Sequence, residues 1–124
     1  MTNQEKLYET LGELLYAVAM ADGAIQPEEQ QALEKLLQHH GWAHEVRWSF
    51  HYEVSKQTDV QQAYKKAISF CQHHGPSPVY TEFIEAMNII AAAANGTDQD
   101  EEAIISSFSK DLISRFHRDL DLNS

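Results

Sequence analysis

Ala19-Met20-Ala21-Asp22-Gly23-Ala24-Ile25-Gln26-Pro27-Glu28-Glu29 returns, altered, as Ala92-Ala93-Ala94-Asn95-Gly96-Thr97-Asp98-Gln99-Asp100-Glu101-Glu102. A shift of 73 residues pairs Ala19 with Ala92, Ala21 with Ala94, Asp22 with Asn95 and Gly23 with Gly96. It also pairs Gln26 with Gln99, Glu28 with Glu101 and Glu29 with Glu102. Each copy reads as the end of an apolar helix, an Asx-Gly turn and the acidic start of a second helix. Glycine past a helix end supplies the positive φ that stops it. Proline suits the first position of the next helix, where its missing N–H is not needed. Carboxylates in a first turn complement the positive end of the helix dipole. The chain therefore reads as two similar helix-turn-helix halves.

Working outward, the hydrophobic period is helical nearly throughout. Leu7, Leu11, Leu14, Leu15 and Val18 form the stripe of an amphipathic helix that should stop at Gly23. Pro27 opens a second helix with Ala32, Leu33, Leu36 and Leu37 inward, ending near His39-His40-Gly41. A third, shorter helix is expected to turn Trp42, Val46, Phe50 and Val54 inward, and a fourth Val60, Tyr64, Ala67, Ile68 and Cys71. Gly75-Pro76-Ser77-Pro78 breaks the pattern. A fifth helix follows with Tyr80, Phe83, Ile84, Met87, Ile90, Ala91 and Ala94, so apolar that it is expected to be more buried than the first. The sixth starts around residues 98–100 and presents Ile105, Phe108, Leu112 and Phe116. No run alternates at period two, so no sheet is expected. The prediction is an all-α bundle of about six helices, one domain over residues 1–124.

Composition narrows the partners. The chain has 124 residues, 43% of them hydrophobic, enough for one folded core. Its formal charge is −10, from 19 acids against 9 Lys and Arg. Phosphate-rich partners require a basic face, so neither nucleic acid nor an anionic membrane is expected as a ligand. A cation or a basic protein patch suits the charge better. No apolar stretch approaches the ~20 residues of a membrane span. The start of the chain lacks the basic and apolar regions of a signal peptide. With the lone Cys71 there is no intramolecular disulfide, and a soluble protein of the cytoplasm is expected.

Asp22 is the informative residue of the turn. Capping alone accounts for Glu28, Asp100 and Glu101 as well as a ligand role does. An acid at a helix C-terminus instead faces the negative end of the dipole and needs a donor. That donor is either a backbone N–H of the following turn, in an Asx-type contact, or a cation. Glu29 can fold back towards it. If the two turns pack side by side, Asp22, Glu29, Asn95, Asp98 and Glu102 converge. Such hard oxygen ligands suit Ca²⁺, Mg²⁺ or Mn²⁺ better than zinc.

The stretch Ala21 to Glu29 resembles the signature of the TerB family, which is associated with tellurite resistance and stress response. The resemblance implies an all-helical fold of two similar halves, each with an Ala-Asp-Gly turn and a glutamate seven residues after the aspartate. It also implies acidic residues gathered on one surface to bind a divalent metal, without an established reaction. Asp22 and Glu29 match the first half and Glu102 the second. Asn95 replaces the second aspartate and Asp98 an apolar residue, so the amide brings an oxygen without charge.

Other constellations lead nowhere catalytic. His40 and His44 are spaced to chelate only if the helix runs through Gly41, and one thiol without a Cys-x-x-Cys makes a poor zinc site. No Glu-x-x-His, His-Glu-x-x-His or glycine-rich phosphate loop occurs. Cys71, with Tyr64 and Ile68 on an apolar face, reads as a buried structural thiol. No enzyme is expected. Trp42, Trp48, Phe50 and Tyr52 cannot all point inward from one short helix. The alternative function is thus a protein-interaction scaffold or homodimer that uses the 42–52 surface without metal.

Overall fold

A computed structural model of the chain describes residues 2–93 and 99–122, of which 113–122 by backbone alone. Six helices follow in order: α1 (Asn3–Ala19), α2 (Pro27–Leu37), α3 (Ala43–Lys56), α4 (Val60–His74), α5 (Val79–Ala92) and α6 (Gln99–Leu122). No strand occurs among the described residues. The all-α class and the count of about six helices expected from the sequence are thus those of the molecule.

The axis of the bundle is α1. It packs against α3, α4, α5 and α6, while α2 covers α5, and α6 lies on α4 and α5. Eleven of its residues are buried, against six of α5, so the expected order of burial is reversed. Hydropathy misses this because α1 buries polar and small residues too. The Thr10 hydroxyl donates to the Lys6 carbonyl at 2.9 Å, and the Tyr16 hydroxyl to the Thr58 carbonyl. Gly12 lets α3 come close: a Cβ there would sit 2.6 Å from the Val46 carbonyl oxygen and 2.7 Å from Ser49 Cβ. On α5, by contrast, Ile89 is exposed.

Helix ends follow local chemistry. Thr2 caps α1 by accepting from the Glu5 N–H at 3.1 Å. α1 stops at Ala19, four residues before Gly23, through tightened bonds from Ala21 N to Val18 O and from Gly23 N to Met20 O. Gly23 then takes φ +98° and redirects the chain. Pro27 stands at the first position of α2, as read. Asp59 caps α4 through the N–H groups of Gln61 and Gln62.

The inward register of α3 departs from expectation. Val46, Ser49, Phe50 and Glu53 face the core, Trp42 is half-buried, and Val54 is exposed. Glu53 takes the place read for Val54 because Lys66 of α4 reaches it at 2.7 Å. In α6, Ile104, Ile105, Phe108 and Leu112 are buried. Ala94 and the side chain of Phe116, both read as inward, lie outside the described residues.

Candidate functional site

The first turn holds its acids by backbone contacts. Asp22 is exposed, and its Oδ1 accepts from the Ala24 N–H at 3.3 Å. That Asx contact is one of the two compensations its position demanded. Glu29, third residue of α2, is 1% exposed, and its Oε1 accepts from the Gln26 N–H at 2.8 Å. The bond returns to the residue before the helix, as in a capping box.

In the second half, Asn95 and Asp98 lie outside the described residues. Glu102 is exposed, whereas Glu101, third residue of α6, is 3% exposed. The buried glutamate thus stands at the same helical position in both halves, Glu29 in one and Glu101 in the other. The motif shift paired Glu29 with Glu102. A first-turn position counted from the helix start would have pointed to Glu101.

Ala21 of the first turn and Asp100 of α6 line one groove together with Val60, Gln61 and Tyr64 of α4. The Tyr64 hydroxyl donates to Asp111 Oδ2 at 2.6 Å. Burial and that carboxylate raise the phenol's pKa. Among the described residues, no three His, Cys, Asp or Glu side chains stand together as a metal-holding group.

The histidines and the thiol have structural partners. His40 Nδ1 accepts from the Trp42 N–H at 2.9 Å, and its Nε2 meets Glu82 Oε1 at 2.7 Å. Since Nδ1 accepts, the ring is the Nε2–H tautomer and donates to Glu82. Tyr8 joins this cluster by donating to Glu82 Oε2 at 3.3 Å, and its ring stacks on Trp42 at 5.2–5.5 Å from His40 and Trp42. Cys71 is buried, and burial pushes its thiol up to about 12, which quenches thiolate chemistry at neutral pH.

Two further groupings stand apart: exposed aromatics within the 42–52 surface that the sequence reading expected, and an acid–lysine cluster that it did not. On the outer face of α3, Trp48 is 52% and Tyr52 39% exposed, their rings stacked at 5.2 Å. Only their register, opposite Val46 and Phe50, separates them from the core aromatics. Between α1, α3 and α4, Lys66 Nζ lies 2.7 Å from Glu53 and 3.7 Å from Glu13. Burial, with Glu53 and Glu9 nearby, pushes the Glu13 carboxyl up to about 7 against the pull of Lys66.

No described helix is long and apolar enough to cross a membrane. Among curated proteins and among solved structures nothing matches the chain. The family model described as tellurite resistance protein TerB matches residues 9–119, from the first turns of α1 into the last helix. With six helices, two acidic turns and that match over most of its length, the chain belongs to the TerB family.

Proposed function

We propose that the chain is a non-enzymatic binding module, related to tellurite resistance and stress response, that holds a divalent cation where its two acidic turns adjoin. The observation that carries this is the groove lined both by Ala21 of the first turn and by Asp100 at the start of α6. It sets the first turn beside the start of α6, the helix that the second turn leads into. Glu29 and Glu101, each the third residue of its helix, are buried just after these turns. Asp22, Glu29, Asn95, Asp98 and Glu102 would supply hard oxygen donors of the kind Ca²⁺, Mg²⁺ or Mn²⁺ takes. The lone buried thiol fits the reducing cytoplasm.

Calorimetric titration with Ca²⁺, Mg²⁺, Mn²⁺ and Zn²⁺ tests the cation. Saturable heat and a higher melting temperature are expected with a hard ion, and both should vanish in Asp22→Asn. That variant is preferred to Glu29→Gln because Asp22 is exposed, whereas the Glu29 bond also caps α2. No heat and no thermal shift with any ion would remove the cation reading.

A second reading is contact with a protein partner, including a homodimer, through α3. Its specific support is the exposed Trp48–Tyr52 stack. Sedimentation over a range of concentrations, with and without Trp48→Ala, tests self-association.

A further inference from the structure

We infer that the outer face of α3 docks a basic segment of a partner protein, with an Arg or Lys side chain laid on Trp48 and held by Glu5, Glu9 and Glu45. The inference rests on the reading of α3 as a protein-contact surface and assigns the partner's chemistry.

Of the four large exposed hydrophobic side chains among the described residues, Trp48, Tyr52 and Val54 belong to α3. An exposed Trp–Tyr stack on a rigid helix is what anchors partners at interfaces, since aromatics offer wide contact at little entropic cost. The face looks outward because the α3 core stripe of Val46, Ser49, Phe50 and Glu53 has turned the other way. Lys56 and Lys66 lie over the Tyr52 ring at 5.3 and 6.0 Å, which leaves Trp48 as the anchor for a partner's cation.

Charge decides the occupant. Beside Trp48 lies a concave site of about 240 Å³ lined by Glu5, Glu9, His44, Glu45 and the indole. The cations nearby on α3 and α4 are engaged with other acids: Arg47 meets Glu34 at 2.9 Å, and Lys66 meets the buried Glu53 at 2.7 Å. None of Glu5, Glu9 and Glu45 forms a salt bridge among the described residues. Partial burial, then the repulsion of Glu5 and Glu45, raises the Glu9 pKa, with Lys6 opposing. Like charges crowded against an open aromatic face favour a cation that relieves the repulsion and binds the ring face. A guanidinium does both at once, being flat, weakly hydrated and able to fork onto a carboxylate. With 9 Lys and Arg against 19 acids, a second copy of this chain offers that cation less readily than a basic partner does. The overall charge of −10 also steers a basic segment towards the protein.

The test uses the full chain in EDTA, so that it is independent of any divalent ion, with tetra-arginine amide as the probe and tetra-citrulline amide as its uncharged twin. Nitrogen-15 NMR shifts of the Trp48 indole and of the Glu5, Glu9 and Glu45 amides report the site. Tetra-arginine is expected to move these signals saturably, and Trp48→Ala and Glu9→Gln/Glu45→Gln should each weaken it by about tenfold. Glu28→Gln/Glu85→Gln removes the same charge from other exposed positions, and it should weaken binding by no more than about twofold. Circular dichroism confirms that each variant is folded. Equal losses in the two double variants would mean diffuse attraction and would overturn the inference. So would equal binding of the citrulline twin. If Trp48→Ala weakens contact while the acid variants do not, the inference fails and the α3 surface stands. Self-association abolished by Trp48→Ala and not displaced by tetra-arginine would make the occupant a second copy, which also overturns it. Neither peptide binding nor self-association would remove inference and contact reading together.

Discussion

Glu13 sits in the middle of α1 with its carboxylate between helices, 15% exposed and 3.7 Å from the Lys66 ammonium. Its pKa of about 7, against an ordinary 4.5, means that the folded protein prefers the protonated acid. The linkage sign follows: this stabilisation is fully present below the unfolded pKa and is lost as pH rises towards 7. At about 1.4 kcal/mol per pH unit of displacement the ceiling is roughly 3 kcal/mol. Lys66 is half exposed, so solvent screening reduces the realised value to about 1–2 kcal/mol. Glu13→Gln keeps the shape and drops the charge. The variant should melt higher than the parent at pH 8 and equal it near pH 4, below the ordinary 4.5, which thermal unfolding across that range checks. A lower melting temperature at pH 8 would show that the ionised acid's attraction to Lys66 wins. Nothing in the sequence announces this residue. The Gly12-Glu13-Leu14 step reads as an ordinary polar position on an amphipathic helix, and only the approach of α3 and α4 buries it. Asp22 is the opposite case, since helix electrostatics alone demanded a donor, and the Ala24 N–H is there.

Elements succeed or fail by how completely a neighbour covers them. α1 and α3 lie so close at Gly12 that the Ser49 hydroxyl donates to the Glu9 carbonyl at 2.6 Å. Gly12→Ala sets two effects against each other. Alanine is better than glycine within a helix by about 1 kcal/mol. Its Cβ, however, would press on the Val46 carbonyl at 2.6 Å, and backbone cannot swing aside as a side chain could. Overpacking of this kind costs typically 1–3 kcal/mol or more. A net loss of about 1–2 kcal/mol is expected, seen as a lower urea midpoint at unchanged slope. The same closeness explains which parts of the helix pattern were legible. The periods, the Pro27 start and the break at Gly75-Pro76-Ser77-Pro78 are local, and the chain spells them out. Burial on all sides of α1 depends on four other helices, and no stripe of leucines encodes it. The α3 register depends on whether Glu53 finds Lys66, a partner thirteen residues away on another element.

At the scale of the molecule, the helical period foretold an all-α bundle, and the family match runs over most of it, residues 9–119. The burial of Glu29 and Glu101, and the groove shared by Ala21 and Asp100, needed the packing of α4 and α6 to appear. The balance of charge makes a prediction of its own. Nineteen acids against nine Lys and Arg repel one another in the compact state, more than in the expanded one. The attractive pairs are few among the described residues. Arg47–Glu34 is exposed on both sides, so it contributes at most about 1 kcal/mol. Lys66–Glu53 is better shielded by the buried carboxylate. Added monovalent salt shortens the screening length from ~30 Å at 0.01 M to ~10 Å at 0.1 M, so it removes long-range repulsion before short-range attraction. The melting temperature in EDTA at pH 7 should therefore rise with NaCl by a few degrees, on the order of 1 kcal/mol. A fall on adding salt would show that the ion pairs outweigh the net charge. Against that baseline, a divalent ion that merely screens matches NaCl at equal ionic strength. One held by the turns exceeds it, saturates, and loses the excess in Asp22→Asn.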